Sequence, residues 1–287
     1  MNIIELLKAI LFGIVEGITE WLPVSSTGHI ILLDEFINLK VSSEAFKSMF
    51  DVVIQLGAIL AVVVLFFDKL NPLTKKKTAP EKKQTWILWA KVVVAVLPSA
   101  VIGVLLEDLI DTYLLRDEYS YIVVAIALIV YGVAFILVEQ KNKTRTLQVE
   151  SVHDIDFKTA IYIGCFQCLS LIPGTSRSGS TILGAILLGV GRASGAEFSF
   201  FLAIPTMLGA SLLKALKFLM EGVSVTATDV GVLVVGCVVS FVVSLLVIKA
   251  LMDYVRQHSF SFFGWYRIGL GTLVLAYFII KKLLLKA

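Results

Sequence analysis

Two polar islands interrupt an otherwise apolar chain: EGITEWLPVSSTGH, from Glu16 to His29, and QCLSLIPGTSRSGST, from Gln167 to Thr181. Glu16 and Glu20 stand at i and i+4, so a helix puts both carboxylates on one face with Cβ atoms roughly 5–6 Å apart. Two anions that close in a low-dielectric setting call for a shared proton or a cation, although the same spacing also suits a water-facing helix end. Pro23 stops this helix, and Ser25, Ser26, Thr27 and Gly28 supply turn chemistry and a cap for a following half-helix. His29 comes three residues after Ser26, on the same side of that half-helix, where it suits a proton carrier or a polar packing contact. In the second island Pro173 and Gly174 break the chain just before Arg177, which sits among Thr175, Ser176, Ser178, Ser180 and Thr181. Backbone N–H groups at a helix start, hydroxyl donors and a guanidinium together make a receptor for phosphate oxygens. Arg177 would equally suit a structural partner for Glu16 or Glu20. The Walker pattern GxxxxGK[ST] is missing. With neutral His29, the charges of Glu16, Glu20 and Arg177 sum to −1, which calls for a protonated glutamate, a histidinium or a bound cation; a divalent cation, Mg²⁺ or Ca²⁺, is the expectation at Glu16 and Glu20, whose oxygens suit hard cations.

These groups must be held inside a membrane. Of the 287 residues, 58% are hydrophobic, above the roughly 45–50% of a soluble domain counted with glycine. Runs near 53–67, 86–106, 119–138, 196–220, 230–252 and 262–282 approach the ~20 residues that cross hydrocarbon as helix. None alternates as a barrel strand would. Charge at the centre of such a helix costs roughly 2.5–3.5 kcal/mol, so the islands are expected to line a cavity or meet a polar ligand. The net charge of +3 comes from two lysine-rich loops, 68–85 and 139–158, and reads as topology rather than a nucleic-acid surface. Cys165 and Cys168 form a lone C-x-x-C in an apolar segment, expected to pack rather than to bind zinc or do redox chemistry. Residues 1–20 lack a positive leader and a small-x-small cleavage site and contain Glu16, so no removable signal is expected.

With both lysine loops on one side, the span 86–106 exits to an acidic turn (Glu107, Asp108, Asp111, Asp117, Glu118) and 119–138 returns. Residues 159–192 then fit best as a broken hairpin that dips in and returns, and residues 1–40 as another that enters from the opposite side. The fold expected is an all-α integral membrane protein of two inverted-topology repeats, 1–150 and 151–287, each a re-entrant helical hairpin plus three transmembrane helices. A shift of 151 residues overlays Gly13 on Gly164, Glu16 on Gln167, Ser25 on Ser176 and Gly28 on Gly179. Inverted repeats with broken helices place binding sites near the midplane. The lysines at 281, 282 and 286 fit this topology least well, because it puts them outside.

The paired motifs EGITEWLPVSSTGH and PGTSRSGST, together with the length and the apolar spans between them, resemble the undecaprenyl-diphosphate phosphatase family, also called the bacitracin-resistance family. The resemblance implies a bacterial plasma-membrane enzyme, a phosphoric anhydride hydrolase. Such an enzyme removes the terminal phosphate of a C55 polyprenyl diphosphate, recycling the carrier lipid for cell-wall synthesis and conferring bacitracin resistance. It implies that Glu16, Glu20, Ser26, His29 and Arg177 carry the activity, with Ser176 and Thr181 as phosphate contacts; Ser25, Thr27 and Ser178 join them as candidate phosphate ligands by position. The nucleophile is expected to be Ser26, with His29, or Glu20 through His29, taking its proton; direct attack by water, with Ser26 hydrogen-bonding the phosphate, would need the same residues. The partners expected are the polyprenyl lipid and the membrane, with no nucleic acid and no organic cofactor. Glycines at 184, 189, 191 and 195 permit close packing within one chain or in a homodimer. The site is expected to face outward. The alternative from another class is a polyprenyl-phosphate flippase or transporter using the same headgroup site.

Overall fold

The computed structural model describes residues 2–113, 120–142 and 149–284, with side chains for 2–106, 121–142 and 149–284. Asn2 starts the first helix by accepting the Ile4 N–H, and α1 (Ile3–Thr19) runs until the chain turns at Glu20–Pro23. Helix α2 (Ser26–Ile37) leads back and stops at Asn38, whose φ of 45° ends a helix in the left-handed region. The two ends of this hairpin lie together: the Lys8 ammonium donates to the Asn38 carbonyl at 2.8 Å and the Lys40 N–H to Glu5 at 2.8 Å. The chain then crosses as α3 (Glu44–Val53) and α4 (Gln55–Leu65), turns through α5 (Phe67–Leu70), and continues as α6 (Ala79–Tyr113) and α7 (Ser120–Asn142). A second hairpin follows, α8 (Phe157–Cys168) and α9 (Arg177–Leu187), and then α10 (Arg192–Met220), α11 (Ala227–Gln257) and α12 (Ser261–Leu284). Its ends also meet, where the Gly191 N–H donates to the Val149 carbonyl at 2.8 Å and Val149 bridges Val190.

Among the described residues, six helical segments are long and apolar enough to cross a bilayer: Glu44–Leu65, Ala79–Leu106, Tyr121–Asn142, Arg192–Met220, Ala227–Gln257 and Ser261–Leu284. The described residues are helical apart from turns, loops and that single bridge, so the protein is an all-helical multi-pass membrane protein. The first span begins at Glu44, earlier than the apolar run from residue 53 indicates, because Lys47, Ser48 and Asp51 on α3 face a polar cavity that hydropathy cannot register. The acidic turn from Glu107 to Glu118 and the lysine at 286 lie outside the residues whose side chains are described. Lys281, the residue that fits the topology least, forms an ion pair with Glu35 at the end of the bundle that holds both ends of the first hairpin.

Each broken hairpin is clasped by a long helix of the other half of the chain. Helix α1 packs along α11 and α8 along α6, while α7 and α12 pair with each other. The α6–α8 crossing needs Gly164, since a Cβ there would stand 2.0 Å from the Ala95 carbonyl oxygen. Trp21, fully buried, meets Phe200 edge-on at 5.2 Å and ties the first turn to α10. The broad outer surface is apolar, with Leu105, Leu246 and Leu273 all more than 60% exposed. That is what a lipid-facing surface requires.

Candidate active site

Both hairpin turns reach the same place. Ser25 and Ser176 each cap the returning half-helix, accepting the N–H of Gly28 at 3.3 Å and of Gly179 at 3.1 Å. Each does so with positive φ, 74° at Ser25 and 73° at Ser176. A non-glycine residue held there costs of order 1–3 kcal/mol and persists only where the surroundings enforce it. At Gly174, φ is 88° and a Cβ would stand 2.6 Å from Val124 backbone atoms, so only glycine fits this turn. The result is two half-helix N-termini, α2 and α9, opening on one cavity of about 110 Å³ lined by Glu20, Ser26, Thr27, Gln55, Ser176 and Arg177, among others. Free N–H groups and the dipoles of both helices favour an anion there.

The charged centre is compact. Ser26 Oγ donates to Glu20 Oε2 at 2.8 Å, and the other oxygen of that carboxylate, Oε1, accepts from Arg177 Nη2 at 3.0 Å and Nε at 3.4 Å. The Arg177 and Glu20 side chains are 10% and 7% exposed, so this is an ion pair at low dielectric. Arg177 Nη1 donates to the Ser199 carbonyl at 2.8 Å. Of its five N–H donors, those not spent on Glu20 and Ser199 are left for a ligand in the cavity. The arrangement offers a hydroxyl already bonded to a carboxylate base, beside a guanidinium and two helix N-termini.

Other residues expected from the sequence take different places. Thr181 lies outside the cavity lining; fully buried, it shares a 2.6 Å hydrogen bond with Ser199, the residue that holds Arg177. Ser178 is also buried and donates to the Glu20 carbonyl at 3.0 Å, so it stitches the two islands together. Ser25 is buried and spent on its cap, whereas Thr27 is exposed and Ser176 half-exposed at the cavity. His29 is placed beside the site, not in it. Its Nδ1 meets the Ser25 carbonyl at 2.7 Å and its Nε2 the Tyr266 hydroxyl at 2.7 Å, with the rings stacked. A carbonyl only accepts, so Nδ1 carries the proton, and in the neutral ring Nε2 accepts from the tyrosine. Glu20 reaches Ser26 directly, without the relay through His29 that the sequence suggested.

Glu16 is 1% exposed, and its Oε1 has no hydrogen-bond partner. Its electrostatic neighbours are Glu20, Asp51 and Arg177. Both oxygens of Glu20 are engaged by protein, whereas Glu16 Oε1 and Asp51 Oδ1 are left unpartnered, and neither Glu16 nor Asp51 lines the cavity. Among the described residues no group of three or more His, Cys, Asp or Glu is arranged to hold a metal ion. The cysteines are free, and the C-x-x-C pair makes no disulfide.

Sequence reasoning passed over Arg267. This side chain is fully buried and donates to carbonyl oxygens of both turns: Pro23 at 3.1 Å, Gly174 at 2.9 Å and Thr175 at 2.9 Å, with longer contacts to Leu128 and Ala127. It is the pin that holds the two breaks in register, and it adds a positive charge behind the cavity that the count of −1 omitted. A lone arginine in the apolar run 262–282 was the available signal, since intramembrane charge marks function by default. Gln55 and Ser170, which also line the cavity, carry no such signal.

The family model described as "Bacitracin resistance protein BacA" matches residues 9–273. An undecaprenyl-diphosphatase of Streptococcus mutans is 55% identical over 283 residues, covering 99% of each chain. One of Lactiplantibacillus plantarum is 54% identical over 275 residues, covering 96% of this chain and 98% of that one. One of Enterococcus faecalis is 57% identical over 277 residues, with coverage of 96% and 98%. At this identity and coverage, with a phosphate-sized cavity built from both polar islands, the chain belongs to the bacitracin resistance protein BacA family.

Proposed function

We propose that this protein hydrolyses undecaprenyl diphosphate to undecaprenyl phosphate and inorganic phosphate, recycling the carrier lipid for cell-wall synthesis and conferring bacitracin resistance. The observation that carries the reading is the single hydrogen-bonded string Ser26–Glu20–Arg177 at the meeting point of two helix N-termini. The relatives bearing the undecaprenyl-diphosphatase name support it and lend nothing to the flippase reading. Detergent-solubilised protein, with no membrane to cross, is expected to release phosphate from the C55 diphosphate; binding without release would refute the assignment.

Phosphoryl transfer proceeds through a loose transition state, so positioning and charge neutralisation carry most of the catalysis. Arg177, Ser176, Thr27 and the half-helix N–H groups hold the diphosphate. Ser26 Oγ attacks the terminal phosphorus and passes its proton to Glu20 as the O–P bond forms. The bond from that phosphorus to the bridging oxygen breaks, and polyprenyl phosphate leaves with the electron pair. Glu20 gives its proton to solvent; a water then attacks the phosphoserine phosphorus and gives one proton to Glu20, the P–O bond to Ser26 breaks, and Glu20 returns that proton to the serine oxygen as phosphate departs. The leaving group is itself a phosphate with a second pKa of roughly 6, so strong acid assistance is unnecessary. Ser178, Thr181 and His29 support this centre by holding Glu20, Ser199 and the Ser25 carbonyl.

A Mg²⁺ or Ca²⁺ ion fits Glu16 better than the Glu16–Glu20 pair, because only Glu16 has an unpartnered oxygen. Such an ion would add positive charge beside Glu20 and Arg177, the charged neighbours of Glu16, although Glu16 itself does not line the cavity. Exhaustive chelation is expected to slow turnover; full activity after it would remove the ion from the account.

The architecture is read as two inverted repeats, 1–150 and 151–287. Support comes from the matching serine caps, from hairpins that return to the end they entered, and from the exchange of α1 onto α11 and α8 onto α6. The lysine-rich loops then lie in the cytoplasm of a bacterial plasma membrane, with the first hairpin entering from outside and the cavity facing outward. If the chain forms a homodimer, it uses another surface than the glycines at 184 and 195, which are spent on Phe166 and Ala185 within the chain.

A further inference from the structure

Two buried carboxylate oxygens have no hydrogen-bond partner, Glu16 Oε1 on α1 and Asp51 Oδ1 on α3, and among the described residues no other carboxylate is left so. The helices that carry them meet nearby: Phe12, one turn ahead of Glu16, packs edge-on against Phe50, the residue before Asp51, at 6.0 Å between ring centroids. Asp51 stands with Glu20 and Arg177 among the charged neighbours of Glu16. Arg177 is committed to Glu20 and Ser199, and Lys47 to an ion pair with Asp34. Lys214, a further neighbour of Asp51, bonds neither open oxygen. Glu16, Glu20 and Asp51 thus share one guanidinium, and buried carboxylates in excess are costly until a proton or a cation joins them.

Solvent reaches this pair at Asp51. A polar space of about 710 Å³ is lined by Glu44, Ser48 and Asp51 along one face of α3, opposite Asp34 and Glu35 of α2. Glu44 and Ser48 are exposed and Asp51 is half-buried. One turn beyond Asp51, Gln55 lines the headgroup cavity, so Asp51 stands between the two spaces.

We infer that Glu16 and Asp51 together hold one hydrated cation of the Mg²⁺ class, which enters from this polar space and binds apart from the diphosphate. The inference rests on the reading of an ion at Glu16 given above and adds its second ligand, its route and its place. Two carboxylates with several retained waters suit Mg²⁺, which dehydrates reluctantly, whereas Ca²⁺ asks for about six to eight oxygens. Neither ligand lines the headgroup cavity, so the ion acts through its charge. It offsets the buried carboxylates and places positive potential behind the Glu20–Arg177 pair, where the diphosphate binds.

Mn²⁺ is the probe, read by electron paramagnetic resonance on purified protein in detergent without lipid diphosphate. One ion per chain is expected, displaced by Mg²⁺. Asp51→Asn and Glu16→Gln are each expected to weaken binding about tenfold or more, because affinity follows the charge count of the ligands. Asp51→Glu keeps the carboxylate and is expected to retain the ion. Glu35→Gln, in the same polar space but paired with Lys281, is expected to bind as the unaltered protein does. Mg²⁺ is expected to raise the unfolding temperature of the unaltered protein and not that of Asp51→Asn. In chelator, Asp51→Asn is expected to melt no lower than the unaltered protein, since the amide relieves like-charge repulsion. Undiminished binding in Asp51→Asn, no bound ion in the unaltered protein, or an ion that binds only once a diphosphate is added would overturn the site. Absence of phosphate release by unaltered protein that holds the ion would instead bring down the phosphatase reading and leave the site standing.

Discussion

Glu20 is the side chain on which most of the chemistry converges, since one oxygen takes the Ser26 proton and the other anchors Arg177. Glu20→Gln keeps the size and loses the base, so kcat is expected to fall by ~10²–10⁴-fold, with a smaller change in KM, as read by phosphate release. Arg267 contributes differently, by holding carbonyls. Each buried carbonyl left without its donor costs roughly 1–3 kcal/mol, and lysine cannot reproduce the planar fork. Arg267→Lys is therefore expected to lower the unfolding temperature and to cut turnover; a native melting curve with native turnover would contradict the pin. The acid pair, Ser26 and Arg177 were legible because polar residues are conspicuous in an apolar chain. The precise employment of Thr181, Ser178 and His29 was not, because a hydroxyl or imidazole one turn away suits a ligand and a carbonyl equally well.

At the scale of elements, the two serine-capped turns bring these side chains together. Positive φ at Ser25 means that glycine relieves strain while losing only the side-chain cap, which costs a few tenths of a kcal/mol. Ser25→Gly is expected to match the unaltered protein in thermal unfolding within about 1 kcal/mol, whereas Ser25→Ala loses the cap, keeps the strain and melts lower. Both hairpins were readable from Pro23, Pro173 and Gly174, since such residues end helices by their own covalent geometry. The break between α3 and α4 at Ile54 was not. No glycine or proline stands there, and it arises in the folded bundle, where Gly57 lies so close to α11 that a Cβ would stand 2.1 Å from the Cys237 carbonyl oxygen.

For the whole molecule, the membrane-spanning helices were legible from hydropathy. The clasping of each hairpin by a helix of the other half was not, because lipid-facing and helix-facing apolar residues look alike in sequence. The outward placement of the cavity is open to labelling: Thr27, exposed at its mouth, changed to Cys in a chain freed of its three native cysteines, is expected to react with an impermeant maleimide added to intact cells. Reaction from the cytoplasmic side alone would reverse the topology. The central claim, that both islands enclose one diphosphate which Ser26 attacks, is tested most directly by acid-quenching turnover of terminally ³²P-labelled C55 diphosphate. The account predicts label on Ser26, absent in Ser26→Ala, whose turnover collapses. Unlabelled protein during full turnover, with Ser26→Ala near native, would contradict it.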